Sequence, residues 1–294
     1  MMTSGTLQAQ EQAEATMKQA HTSFYWPMRL LPRDKRDAMY AIYAFCRIVD
    51  DIADEPGLAG DKRDNLQLWR QEITNIFEDK PSVPVGQSLA VARSRFTLRK
   101  QDFLDIIDGM EMDVGVELGK GHSEAQVRIT DLAELDIYCD RVAGAVGRLS
   151  NQVFGLDGDG GEALAKTLGR ALQLTNILRD LREDAGIDRL YLPLDMLKRH
   201  GIEETEPLAV LKSAALPKVC DDLVAMAAEN FKEAETMISG FDRARARPAI
   251  IMMAIYQRVL QRLIQRGWRD LEKPVRLSRL SRLWIAVRSG VLGL

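Results

Sequence analysis

The chain has 294 residues, 46% of them hydrophobic, with 21 glycines and 10 prolines. That length buries a sizeable core, and the composition excludes disordered and fibrous classes. Net charge is −3, but from Arg243 onward twelve Arg plus Lys meet two acids, a net +10 that leaves −13 for the rest; such asymmetry points the C-terminus toward an anionic partner, lipid or nucleic acid, or toward solvated helix faces.

Met1 to Gln19 is polar and lacks an apolar core of the secretory type, so residues 1–20 are expected to be partly disordered and no signal peptide is read. Helical spacing of apolar residues then runs through Arg36–Val49, Leu66–Phe77, Gln101–Val114, Asp131–Phe154, Glu162–Arg182, Pro217–Ile238 and Pro248–Trp268. Pro32-Arg33-Asp34 and Thr130-Asp131 are start signals. Breaks at Glu55–Asp61, Asp79–Gly86, Gly115–His122, Gly155–Gly161 and Gly186–Pro193 are short, so no interdomain linker stands out. No run alternates with period two, and no apolar stretch reaches the roughly 20 residues that cross a bilayer. The pattern predicts one all-α domain over 21–272, with eight to ten helices around a central cavity, followed by a basic segment, 273–294. Cys46, Cys139 and Cys220 have no C-x-x-C spacing, which argues against disulfides or zinc and fits a reducing cytoplasm.

Two acidic clusters carry the functional signal. Tyr43, Arg47, Asp50 and Asp54 step by four, three and four; Gln173, Asn176, Asp180 and Asp184 step by three, four and four. Each set forms one stripe on a helix. Like charges at i, i+4 cost roughly 0.2–0.5 kcal/mol per pair, so two such pairs in apolar segments call for a cation. Mg²⁺ suits them, since it takes one or two carboxylates together with waters and substrate phosphates. Arg47 and Arg179 would then contact phosphate oxygens directly. The plain alternative for Asp50–Asp54 alone is a solvated acidic face.

Gly158-Asp159-Gly160-Gly161-Glu162-Ala163 imitates a dinucleotide fingerprint, but helical sequence precedes it, so it reads as a helix–helix loop. The three histidines, His21, His122 and His200, supply no Glu-x-x-His, which removes a di-iron bundle. The small-residue run Ala143-Gly144-Ala145-Val146-Gly147 serves either close helix packing or room for a long apolar ligand. Near the C-terminus, Arg276, Arg279, Arg282 and Arg288 flank Leu277, Leu280, Leu283, Trp284, Val287 and Val291. An interfacial helix on an anionic membrane and a final helix packed on the domain both fit that pattern.

His21-Thr22-Ser23-Phe24, the Tyr43–Asp54 stripe, Tyr138-Cys139-x-x-Val142-Ala143-Gly144, the Gln173–Asp184 stripe, Arg189-Leu190-Tyr191-Leu192-Pro193 and a late Tyr256 together resemble the squalene/phytoene synthase family. The resemblance spans residue 21 to about 260. It implies the all-α isoprenoid synthase fold and head-to-head (1′-1) condensation of two allylic prenyl diphosphates. Mg²⁺ would be held by Asp50, Asp54, Asn176, Asp180 and Asp184, and substrate by His21, Thr22, Ser23, Phe24, Tyr43, Arg47, Gln173, Asn176, Arg179, Arg189, Tyr191 and Tyr256. Tyr138, with Arg47 and Tyr43, would be catalytic; an ordinary core aromatic is the other reading of Tyr138. The wording Tyr138-Cys139-Asp140-Arg141-Val142-Ala143, with Gly109–Val114, is similar to the bacterial hopanoid-associated presqualene diphosphate synthases. That implies farnesyl diphosphate as substrate and no NADPH; the cysteine pattern adds a cytoplasmic location, and no nucleic acid is expected as partner, with peripheral contact to an anionic membrane one of the two readings of the C-terminus. Phytoene synthase on geranylgeranyl diphosphate, a dehydrosqualene or squalene synthase, a class I terpene cyclase and a silent helical partner are the alternatives.

Overall fold

The computed structural model of the chain describes residues 28, 29, 31–115 and 126–289. Helix dominates them. The first long helix, α1 (Arg33–Asp54), follows Pro32 and buries Met39, Ile42, Phe45 and Val49 at three- and four-residue spacing. Full burial of side chains of this size is worth about 1.5–3 kcal/mol each. Phe45 meets Trp69 of α2 (Ala59–Phe77) and Phe103 of α4 (Lys100–Val114) edge to face, with centroids 5.6 and 5.3 Å away. Between them lies α3 (Pro84–Arg95), whose first turn falls in the expected break Asp79–Gly86 and whose remainder the sequence reading left unassigned. Its apolar stripe is only three residues deep, Val85, Leu89 and Ala92, and its clearest signal is the proline at its start.

The segment predicted as one helix over 131–154 is continuous but not uniform. It consists of α5 (Leu132–Cys139), a π-helical turn (Asp140–Gly144) and α6 (Ala145–Phe154). Its start is the expected one: Asp131 accepts from the Glu134 amide, and Glu134 accepts from the Thr130 amide and hydroxyl at 2.7 Å. A tight turn leads into α7 (Asp159–Gly186), 28 residues and about 42 Å long. This helix is the axis of the domain; α6, the π turn, α10 (Leu216–Ile238) and α11 (Arg243–Arg266) pack around it. Two short helices, α8 (Leu194–Arg199) and α9 (Pro207–Val210), lie between α7 and α10 in sequence. Among the described residues they carry the total past the expected eight to ten.

Gly169 of α7 faces the π turn so closely that a Cβ there would lie 2.8 Å from the Gly144 nitrogen and 2.9 Å from the Ala143 carbonyl carbon. A Cβ on Gly147 would meet that of Ala165 at 3.1 Å. The small-residue run therefore serves close packing, and Ala143, Val146 and Gly147 also line the cavity described below. Both readings of that run hold.

A feature without any sequence signal is a parallel two-residue ladder, β1 (Val127–Arg128) with β2 (Arg189–Leu190), registered Val127 to Arg189 and Arg128 to Leu190. Two residues are too few to show alternation. The ladder returns the chain after α7 toward the end of α1. Last comes α12 (Arg279–Val287), reached through Val275 and Leu277, which are buried. No helix among the described residues is long and apolar enough to cross a membrane.

Candidate active site at the mouth of an apolar cavity

Helices α1, α4, α6, α7, α11 and the π turn enclose a cavity of about 530 Å³, within the range typical of small-molecule sites. Its inner walls are apolar, including Met39, Ile42, Met110, Leu168 and Met252. Its mouth is polar: Tyr43, Arg47 and Asp50 come from α1, Gln173, Asn176, Arg179 and Asp180 from α7, and Tyr256 from α11. The first three residues of each stripe thus face one opening, while Asp54 and Asp184 lie one turn further on and do not line it.

The charges there are arranged in pairs. Arg47 donates from Nη1 to Asp50 at 2.8 Å and from Nη2 to Asp51 at 2.5 Å. Arg179 grips Asp180 through Nε at 2.7 Å and Nη2 at 2.5 Å, with Tyr256 beside it. Arg189, from β2, crosses to α1 and donates to Asp54 Oδ1 at 2.6 Å and to the Ala53 carbonyl at 3.0 Å. Lys62 donates to that same carbonyl at 2.8 Å, bringing a further cation to the rim that motif reading did not single out.

Carboxylates remain poorly compensated in spite of these arginines. Burial, then Asp54, pushes the Asp50 carboxyl up to about 7, and burial, then Asp180, pushes Asp184 up to about 8. Asn176 donates to Gln173 at 3.2 Å, while its own Oδ1 is buried without a hydrogen-bond partner. An orphaned carbonyl oxygen one helical turn from Asp180 fits a hard cation. Among the described residues no three His, Cys, Asp or Glu side chains converge as a metal cage. Paired acids facing a cleft instead suit an ion that completes its shell with water and substrate oxygens.

Tyr138 does not line the cavity. Its buried hydroxyl donates to Asp113 at 3.2 Å, Tyr191 donates to the other oxygen at 2.5 Å, and the two rings stack with centroids 4.9 Å apart. Burial, then the Asp113 charge, holds both phenols well above their usual range, so both stay protonated. Burial raises Asp113 itself to about 6, against the opposing pull of Arg189 and the phenols. Motif reading met Asp113 only within Gly109–Val114 and gave it no role, although an acid in step with Ile106 and Met110 on the buried stripe of α4 was visible as an anomaly. His21, Thr22, Ser23 and Phe24 lie outside the described residues.

The profile of the family described as squalene/phytoene synthase matches residues 17–282. A presqualene diphosphate synthase of Rhodopseudomonas palustris is 44% identical over 271 residues, 92% of this chain and 94% of the relative. A phytoene synthase of Mycobacterium tuberculosis is 35% identical over 260 residues, 86% and 81% of the two chains. A ligand-bound dehydrosqualene synthase superposes with a TM-score of 0.79 at 25% identity, covering 98% of each chain. The fold is the isoprenoid synthase fold, the match runs through both aspartate helices and the cavity they close, and the chain belongs to the squalene/phytoene synthase family.

Proposed function

We propose that the chain joins two farnesyl diphosphates head to head (1′-1), giving presqualene diphosphate and free diphosphate, as a step toward squalene or hopanoids. One observation carries this reading: an apolar cavity opens at a mouth lined by Asp50 with Arg47 from one helix and Asp180 with Arg179 from another, with the Arg189–Asp54 pair next to it. The relative at 44% identity has that name, and the phytoene synthase is more distant at 35%.

Asp50, Asp54, Asn176, Asp180 and Asp184 are the residues that would hold Mg²⁺. Bound there, the ion supplies charge neutralisation that makes diphosphate a leaving group. Arg47, Arg179 and Arg189 each rest on one of these carboxylates. They would turn to phosphate oxygens as the carboxylates take up the metal, giving planar, charge-assisted contacts. Tyr43, Gln173, Tyr191, Tyr256 and the His21–Phe24 segment are proposed to complete the substrate site. The apolar walls keep water from the allylic cation left by ionisation. The 2,3 double bond of the second molecule attacks that carbon, and loss of a proton closes the cyclopropane. Tyr138, expected to act through its ring or as a relay, does not line the cavity and is proposed to assist as a relay by way of Asp113. Because its phenol is held protonated against Asp113, the departed diphosphate is the stronger base.

A peripheral membrane contact through α12 belongs to the same proposal, as does independence from NADPH. The experiment is product analysis with purified protein, Mg²⁺ and either farnesyl or geranylgeranyl diphosphate. Presqualene diphosphate from the first supports the reading; phytoene from the second, with the first untouched, moves the chain to the phytoene branch.

A further inference from the structure

The end of the cavity away from the aspartates is closed by particular residues. Helices α6 and α7 form an antiparallel hairpin, with Gly144 against Gly169, Gly147 against Ala165, and Asn151 donating to the Gly161 carbonyl at 2.8 Å. Positions late in α6 and early in α7 therefore lie deepest. Asp180 at the mouth and Leu164 at the bottom both line the cavity; sixteen residues apart on one helix, they are separated by about 24 Å.

At that depth the lining is shared by Phe154, the last residue of α6, by Leu164 and by Pro248 near the start of α11. The ring is buried, and its backbone is held from two sides. Lys35 of α1 donates to the Phe154 carbonyl at 2.9 Å, and Arg245 of α11 donates to the neighbouring Gly155 carbonyl at 3.3 Å. The two polar residues nearby are satisfied internally: Ser150 donates to the Val146 carbonyl at 2.7 Å, and Asn151 to Gly161. What they offer the cavity is unreactive surface suited to hydrocarbon. Behind this end, sharing Asn151 as a wall, is a separate recess of about 200 Å³ lined by Arg99, Arg148 and Glu162. Its charges make it a poor continuation for an apolar tail.

We propose that Phe154 is the floor that sets the longest prenyl tail the cavity accepts, favouring farnesyl over geranylgeranyl diphosphate. The inference rests on the function proposed above. A bulky ring at the deep end, with only a charged recess on the far side of Asn151, admits a tail up to the ring and gives a longer one nowhere to go.

The measurement is kcat/KM for farnesyl and geranylgeranyl diphosphate in the wild type, Phe154→Ala, Phe154→Leu and Ala249→Phe, with circular dichroism to establish folding. In Phe154→Ala the ratio of geranylgeranyl to farnesyl should rise about tenfold or more, since even single methylenes are discriminated by factors of 10–200. Phe154→Leu should give a smaller rise. Ala249→Phe, which adds bulk at the same depth, should move the ratio the other way. Should Phe154→Ala fail to fold, the opposite shifts of the other two variants decide. Unchanged ratios in folded variants of an active wild type would overturn the floor and leave the proposed function standing. A wild type inactive on both diphosphates would overturn the function and the floor with it.

Discussion

Arg189 and Asp54 join the two halves of the mouth: Nη1 lies 2.6 Å from Oδ1, across 135 residues of sequence. The arginine is largely buried in β2, just past the second acidic cluster, whereas the aspartate closes the first. Burial works against the arginine's charge, but Tyr191, Asp113 and Asp54 around it hold the guanidinium firmly protonated. A fixed cation thus stands among Asp54, Asp113 and Asp184, where it offsets the mutual repulsion of these carboxylates. Arg189→Gln should fold yet lose about 10²-fold in turnover, the scale of removing one preorganised electrostatic contact. Steady-state diphosphate release checks this, and near-normal turnover would remove Arg189 from the substrate site.

The aspartate pairs themselves give the second prediction. Asp54→Asn and Asp180→Asn change charge at nearly constant shape, so circular dichroism should be unaltered while turnover falls roughly 10²-fold or more. Chelation of divalent ions should abolish activity, and added Mg²⁺ should restore it. Either variant working at wild-type rate with substrate saturated would sink the assignment of that pair.

How much of this was legible beforehand follows from the kind of signal involved. Asp50 with Asp54, and Asp180 with Asp184, sit at i, i+4 on long periodic helices, so spacing alone put each pair on one face. Asp113 and Tyr138 meet through a contact 25 residues apart in sequence, between α4 and α5, and no local spacing encodes it. The two-residue ladder that brings Arg189 to Asp54 is likewise below any periodicity. The π turn was read as ordinary helix, because the longer step it makes between buried positions, Cys139 to Gly144, ends in a run of small residues that marks no apolar stripe.

A pH dependence of stability follows from the raised carboxyls. Asp50 at about 7 and Asp184 at about 8 lie above the ordinary value of 3.8, so the folded state prefers their protonated forms. That preference stabilises the fold fully below 3.8 and is lost as pH rises through about 7 and then 8. Metal-free protein should therefore melt at higher temperature at pH 6 than at pH 8.5. Mg²⁺ with diphosphate should narrow the difference by favouring the ionised forms. Thermal melts with and without both ligands are the check, and a metal-free protein more stable at pH 8.5 would contradict it.

With farnesyl diphosphate and Mg²⁺ as the only small molecules, the product should be presqualene diphosphate, and NADPH should leave rate and product unchanged. The expectation rests on the wording around Tyr138 and on the relative at 44% identity. Chromatography of the extracted products decides it; squalene formed only when NADPH is supplied would refute it.

The C-terminal segment divides its apolar residues between two directions. Val275, Leu277, Ile285 and Ala286 are buried, so the segment does pack on the domain, and Arg262 and Arg266 bond the Arg276 and Lys273 carbonyls at 3.0 and 3.2 Å. Leu280 and Trp284, four residues apart on α12, are 79% and 60% exposed, and the Arg288 guanidinium lies 5.1 Å from the Trp284 ring. Apolar side chains at one helical face with arginines at its margin suit an anionic bilayer, where each basic residue contributes about 1 kcal/mol within a Debye length. Truncation after Pro274 would also remove the inward contacts, so loss of binding in that variant would not separate docking from folding. Leu280→Gln with Trp284→Gln spares those contacts and should leave the melting temperature and the turnover of dispersed substrate unchanged. Full-length protein should sediment with vesicles rich in anionic lipid, less so as salt is raised, and the double variant should sediment at least tenfold less. Binding that ignores salt, or a double variant that binds as well as the parent, would count against α12 as the membrane contact.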